Sequence, residues 1–250
     1  MSKIKTVLIS QPHPDRENDP YLELAKKYNL KILFRKLFKI EGVPSIDFRH
    51  DRINLLDFSA VIFTSKNSID HYFRICREMR VTVPDTMKYF CISESVAFYL
   101  QKYVLYRKRK IFHGRQNFPE LIDVMKKHKN ESYLLPSSDI IKVDVPKLLD
   151  ANKFNYKRII FYKTIPNDLS DVDIKQFDLI VFFSPAGIKS LFHNYPDFKQ
   201  SKTLIAAFGS ATCNAAKEAG LSLHIQAPTP VAPSMTMALE QYLKKASKCK

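Results

Sequence analysis

No tryptophan occurs among the 250 residues, and glycine is scarce, with five in all. There is no Gly-rich phosphate loop and no Gly-x-Gly-x-x-Gly fingerprint, so nucleotide-dependent chemistry loses its usual marks. Neither Ser65 nor Ser184 stands in a Gly-x-Ser-x-Gly elbow, which removes the ordinary hydrolase nucleophile. The four cysteines (Cys76, Cys91, Cys213, Cys249) show no paired spacing, and the seven histidines form no His-x-x-x-His pair. A metal site is therefore not expected, and unpaired thiols suit a reducing, cytoplasmic setting. Apolar runs such as Leu179–Phe183 and Leu204–Phe208 are strand-length, well short of the roughly 20 residues a membrane span needs. Met1-Ser-Lys-Ile-Lys passes directly into strand-like Thr6-Val-Leu-Ile, without the apolar stretch of a signal peptide.

Acidic residues are the minority: 25 Asp and Glu face 40 Lys and Arg, a formal net charge of +15. A large positive field draws in anions, whether nucleic acid, anionic membrane or a carboxylate-rich small molecule. The basic residues are dispersed, with two dense runs, Arg107-Lys-Arg-Lys110 and the tail Lys244–Lys250. Such runs ordinarily form solvated faces. No RNA-binding aromatic signature accompanies them.

Short apolar runs alternate with amphipathic stretches, the pattern of an α/β layered architecture. Strands are expected at Thr6–Ser10, Lys31–Phe34, Ala60–Thr64, Tyr89–Ile92, Ser132–Leu135, Arg158–Tyr162, Leu179–Phe183, Leu204–Phe208 and Ser222–Ile225. An internal repeat organises them. Phe58–Phe73 aligns without gaps on Phe177–Phe192, with identities at Phe58/Phe177, Phe63/Phe182, Ser65/Ser184, Ile69/Ile188 and Phe73/Phe192. Each copy is followed by a second strand–turn–helix, at Phe90–Ala97 and Ala206–Cys213.

Two related α/β lobes are therefore expected, with parallel sheets flanked by helices. Residues 1–35 have no sheet of their own and are assigned, with 167–250, to a discontinuous lobe; 44–157 form the other. Residues 36–43 and 158–166 cross between them, extended and proline-edged, as a two-stranded β-ladder hinge.

Each repeat sets a serine where a strand ends and a helix begins. Helix starts present free N–H groups and a partial positive charge, which suit carboxylate or phosphate oxygens. Ser65, Ser93, Ser184 and the Gly209–Thr212 turn supply four such starts, although any one could be an ordinary N-cap. Gly187 and Gly209 would allow close approach of a ligand to the backbone. Ligands of open α/β sheets bind at the carboxyl ends of strands, where these turns lie.

Taken with Asp19-Pro-Tyr21, Phe63-Thr-Ser65, Phe161-Tyr-Lys-Thr164, Phe182-Phe-Ser-Pro-Ala-Gly187, Ala206-Ala-Phe-Gly209-Ser-Ala-Thr212 and Pro228-Thr-Pro230, the chain resembles the uroporphyrinogen-III synthase family over most of its length. The resemblance implies flavodoxin-like lobes and a cytoplasmic, monomeric lyase without metal or cofactor. It also implies no nucleic-acid or membrane partner. Its substrate would be hydroxymethylbilane, a linear tetrapyrrole with eight carboxylates, received from a porphobilinogen deaminase. Water is lost, the terminal pyrrole ring is inverted, and the macrocycle closes to uroporphyrinogen III.

By resemblance, Tyr162 is the catalytic candidate: its phenol stays protonated and can donate to the departing hydroxyl. Thr64, Ser65, Ser93, Lys142, Ser184, Gly187, Gly209, Thr212 and Thr229 become substrate-binding candidates. The first-lobe turn Ser93-Glu-Ser-Val96 departs from the family in having no threonine, and it adds Glu94 beside an anion site. Ser137-Ser138 stands where a basic pair is usual. Two other readings stay open, a non-catalytic bilobal binder and a nucleic-acid-binding protein using the +15 charge.

Overall fold

The computed structural model describes residues 4–15, 19–141 and 144–248, the side chains of 247 and 248 excepted. The chain falls into two compact units, a discontinuous one of Met1–Lys39 with Ile165–Lys250 and a continuous one of Ile40–Thr164. It opens in the discontinuous unit with β1 (Thr6–Ile9), α1 (Pro20–Tyr28) and β2 (Lys31–Phe34). Strand β3 (Phe38–Gly42) leads into the continuous unit, made of α2 (Ser45–His50), β4 (Ala60–Phe63), α3 (Lys66–Glu78), β5 (Lys88–Cys91), α4 (Glu94–Leu100), β6 (Ile111–His113), α5 (Phe118–Met125), β7 (Tyr133–Ser138) and α6 (Asp144–Ala151). Strand β8 (Tyr156–Pro166) leads back, and β9 (Leu179–Phe182), α7 (Pro185–Asn194), β10 (Leu204–Phe208), α8 (Ser210–Glu218), β11 (Leu223–Ala227) and α9 (Met235–Lys248) complete the chain.

The discontinuous unit's sheet has the order β11-β10-β9-β1-β2, all pairs parallel. The other runs β3-β8-β7-β4-β5-β6, with β4 to β8 parallel. Setting the repeats β4 and β9 in register superimposes the two orders, so that β7 takes the place of β1 and β8 that of β2. The units are thus one doubly wound architecture, circularly permuted. In each, the chain reverses its winding beside the first repeat strand, between β9 and β1 and between β4 and β7. Such reversal points are where open sheets form ligand crevices.

Hydrophobic patterning explains the layers. β4 and β9 are buried at every residue, as parallel strands covered on both faces must be. Each sheet has an apolar cluster on either face: one around Phe63, Tyr72 and Phe161 and another around Phe90, Leu121 and Tyr133 in the continuous unit. Ile9, Val181 and Leu239 belong to one cluster of the discontinuous unit, and Leu8, Ile180 and Ile188 to the other.

Helix signals act locally. Asn117 and Glu120 form a capping box at α5 with Pro119 in its first turn, and Asp19 caps α1 through the Tyr21 N–H. Gly220 follows α8 at φ +75°, a left-handed stop. Two short elements carry no such signal: three-residue β6, hidden behind the 107–110 charge run, and six-residue α2, which Pro44 opens without a side-chain cap.

Candidate functional site

In the continuous unit the reversal point is built from β4, β7 and β8. Ser65 ends β4 and caps α3: its Oγ accepts from the Ser68 N–H at 3.1 Å, and Ser68 Oγ accepts from the Ser65 N–H at 3.2 Å. Strand β8 supplies Tyr162 through an irregularity. The β7–β8 register shifts between Ser137 and Ser138, so Ser138 faces Tyr162 instead of Phe161. A bulge of this kind re-aims a side chain, and here consecutive Phe161 and Tyr162 are both buried, at 0% and 6% exposure. The Tyr162 hydroxyl lies 3.2 Å from Ser65 Oγ. Burial pushes the phenol above its ordinary value of 10, against the Ser65 hydrogen bond, and Asp139 adds to the rise. Tyr162 therefore stays protonated at neutral pH.

A polar stripe on α3 frames this pair. His71 stacks on the Tyr162 ring at 4.8 Å, and Arg74 Nε donates to His71 Nδ1 at 3.3 Å. Burial, then the Arg74 charge, lowers the imidazole below 6.5, so it is neutral. Arg74 is held in turn by Glu78 at 2.8 Å and by the carbonyls of Val43 and Phe161 at 2.7 and 3.4 Å. A Cβ on Gly42 would come within 2.6 Å of that guanidinium, so a side chain at the end of β3 would have to displace it.

Beyond β7, Arg158 donates to Ser137 Oγ and to the carbonyls of Ser138 and Asp139, all within 3.0 Å. A basic group thus does occupy the Ser137-Ser138 turn, supplied by the neighbouring strand. Burial opposes ionisation of Asp139, but the Ser138 hydroxyl and the Thr164 N–H together hold its carboxyl below the usual range.

The discontinuous unit meets the same problem differently. Ser184 Oγ accepts from the Gly187 N–H at 3.3 Å, with Pro185 in the first turn of α7. Gly187 occupies the position that Ser68 holds in the other repeat, so no reciprocal hydroxyl closes the cap. Gly187 is buried, and a Cβ there would make ordinary contacts of 3.4–3.8 Å. Ser10, at the end of β1, accepts from the Phe183 N–H at 3.2 Å. Gly209 caps α8 at φ +85° with no side-chain bond to the helix start, and a Cβ there would meet nothing within 4 Å. Its own N–H is taken by the Ala227 carbonyl at 2.6 Å, ahead of the cis Ala227–Pro228 bond. Thr229 Oγ1 accepts from the Ala232 N–H at 3.0 Å.

Of the sequence candidates, then, Ser65 and Tyr162 come together in one unit, with Thr64 half-buried beside them. Ser184, Gly187, Gly209 and Thr229 lie at strand ends of the other, while Thr212 in the first turn of α8 is buried at 3%. Ser93 caps α4 without a side-chain bond and lies 3.0 Å from Ser95 Oγ. Lys142 lies outside the described residues. Sequence reasoning passed over Ser68, His71 and Arg74, although their three-residue spacing along α3 is the signature of one helix face.

The chain is thus a pair of doubly wound α/β units with hydroxyl-bearing turns at their strand ends. The family profile described as Uroporphyrinogen-III synthase HemD matches residues 19–237. The chain belongs to the uroporphyrinogen-III synthase family, cyclising lyases that act without a cofactor in tetrapyrrole biosynthesis. A search of curated proteins gives no significant match. Among solved structures, the fold is similar to a mutant uroporphyrinogen III synthase from the extremely thermophilic bacterium Thermus thermophilus (TM-score 0.59, 14% identity, 98% of this chain and 100% of that one). It is also similar to the uroporphyrinogen-III synthetase from Helicobacter pylori 26695 (TM-score 0.60, 17% identity, 97% and 100%).

Proposed function

We propose that this chain converts hydroxymethylbilane to uroporphyrinogen III, with Tyr162 as the catalytic group. The supporting observation is the partly buried Tyr162–Ser65 hydroxyl pair at a strand-end reversal point. Because burial keeps the phenol protonated, Tyr162 donates a hydrogen bond along which a proton passes to the departing hydroxyl, and the proton released from the terminal pyrrole N–H as water leaves restores the phenol. Ser65 is half-buried and relays that bond toward the substrate. Neutral His71 holds the ring flat without adding a second acid. Water leaves, the terminal ring inverts through a spiro intermediate, and the macrocycle closes. Closure without inversion competes, so the enzyme succeeds by holding a conformation, which calls for preorganised contacts more than for strong acids.

The substrate carboxylates are bound by the helix starts at Ser184 and Gly209 and by the hydroxyls of Thr64, Ser93 and Thr229, with Gly187 completing the Ser184 turn, buried Thr212 supporting the start of α8 from within and Lys142 as a basic contact. The protein works as a cytoplasmic monomer supplied by a porphobilinogen deaminase.

A coupled assay tests this: deaminase makes the bilane from porphobilinogen, and oxidised products are separated by isomer. Type III product is expected when the chain is present; type I alone would sink the proposal. Tyr162→Phe should lower kcat by roughly 100-fold, the lower end for a lost proton-donating group, with KM nearly unchanged. An unchanged kcat with raised KM would make Tyr162 a binding residue.

A further inference from the structure

The basic run Arg107–Lys110 lies at the opposite end of the continuous unit's strands from Ser65. Arg107 and Lys110 line a cavity of about 470 Å³ in the continuous unit, joined by Arg77 from the last turn of α3. That volume suits a small ligand. The cavity lies at the amino ends of β5 and β6, because Met87 and Lys110, the residues before those strands, both line it. Ser65 and Ser93 follow the carboxyl ends, at the opposite edge of the sheet.

Its lining has two chemistries. Phe73 and Tyr103 form an aromatic wall, their rings stacked 4.5 Å apart and 3° from parallel, with Tyr89 beside them. The Tyr103 hydroxyl is anchored on Asp70 at 2.6 Å, which fixes the wall. Against this stand three cations and one lining carboxylate, Asp85, itself 3.5 Å from Arg107. An apolar ligand would leave the cations unmatched, and a small inorganic anion would leave the aromatic wall in water.

We propose that this cavity binds a small planar aromatic carboxylate, its ring against Phe73 and Tyr103 and its carboxylate on Arg77 and Arg107. A guanidinium fork matches a carboxylate in geometry as well as charge, and a flat ring gains from aromatic contact beyond its area. The test is calorimetric titration of the full chain with naphthalene-2-carboxylate, compared with neutral naphthalen-2-ylmethanol and with cyclohexanecarboxylate. Amide shifts of Met87 and Ile111 report the location. Saturable one-to-one binding is expected, at least roughly tenfold tighter than either control, the equivalent of one charge-assisted contact. Arg77→Ala and Arg107→Ala should each weaken it by about tenfold, since each removes one such contact. Both side chains are exposed and remote from Ser65, so cyclisation and thermal stability should hold. Absence of saturation at millimolar ligand, equal binding of all three compounds, shifts confined to Ser65–Ser68, or affinities unmoved in both variants would each overturn the assignment.

Discussion

Helices α3 and α7 descend from one repeat, yet they hold their surroundings by different means. In the discontinuous unit, Ser190 Oγ donates to the Leu37 carbonyl, which also accepts from the Asn167 N–H at 2.9 Å. Asn194 adds a bond to the Asn167 carbonyl at 2.9 Å. In the continuous unit, Arg74 reaches the carbonyls of Val43 and Phe161, which are themselves joined by the Val43 N–H at 3.0 Å. Each helix therefore ties down a pair of chain segments next to the passage between units, one with small neutral groups and one with a guanidinium. The guanidinium brings His71 with it, and His71 steadies Tyr162. Tyr162 belongs to the unit whose helix spends a charged residue on anchoring, whereas the other unit keeps the open turn at Gly209. On the proposed function the two copies differ in what they contribute, a phenol from one and an open glycine turn from the other.

The largest test of this division outside the active pair concerns how each sheet is pinned at its amino end. Asp178 accepts from the Lys5 and Thr6 N–H groups at 2.7 and 2.9 Å and from the Thr6 hydroxyl at 3.0 Å, joining β1 to the start of β9. Burial opposes its ionisation, but those bonds together hold the carboxyl below 3.8. Asp178→Ala should cost about 3 kcal/mol, the loss of hydrogen bonds to a charged acceptor, and lower the Tm by roughly 6–12 °C. In the continuous unit, Glu131 does the same work through side chains, bonding Ser59 Oγ and Lys88 Nζ, each at 2.5 Å. Glu131→Ala should cost less, about 1–2 kcal/mol, since no backbone donor is orphaned. Equal losses by thermal or urea unfolding would erase the distinction.

A smaller effect separates the two glycines of the discontinuous unit. Gly209→Ala forces a side chain to φ +85°, a strain of about 1–2 kcal/mol, and should raise KM for the bilane because the open turn is lost. Gly187→Ala meets only ordinary contacts in a helix and should be near neutral in both. KM raised by Gly187→Ala and not by Gly209→Ala would reverse the assignment of the open backbone site.

Much of this was legible before any coordinates. The repeat and the strand-end serines follow from hydrophobic period and alignment, because burial on both faces of β4 and β9 demands unbroken apolar runs. The resemblance singled out Tyr162. What pattern could not supply was the β7–β8 bulge, since a register shift depends on pairing with a distant strand. Nor could it supply the reach of Arg158 into the Ser137-Ser138 turn from 20 residues away. Gly187 shows the converse: a glycine in a family motif suggests open backbone, yet it lies buried with its N–H already taken by Ser184. Its place inside α7 and its packing set it apart from Gly209, which has φ +85° and open space where a Cβ would go.

The smallest expected effect is a pH dependence of stability carried by two histidines of the continuous unit. His71 and His128 both lie there, and burial is the largest cause lowering each below 6.5. For His71 the Arg74 charge adds to the lowering, while Asp70 and Glu78 oppose it. For His128 the charges of Lys88 and Lys127 add to it and Glu131 opposes. A histidine that resists protonation when folded takes up a proton more readily when unfolded, so the unfolded state gains as pH falls through 6.5. Stability should therefore decline between pH 7.5 and 5.5, a window above the one in which Asp178 and Glu131 lose their charge. The urea midpoint should fall over that interval in the native chain and fall less in His71→Gln and in His128→Gln. His71→Gln should also remove the acid limb of the cyclisation pH profile, because a protonated Nδ1 can no longer accept from Arg74 Nε and its charge repels that guanidinium, which loosens the ring stacked on Tyr162. His128 touches Phe90 and Phe112, far from that network, so His128→Gln should leave the profile intact. Identical profiles for all three proteins would leave His71 a packing residue and the asymmetry between the two repeat helices without a catalytic meaning.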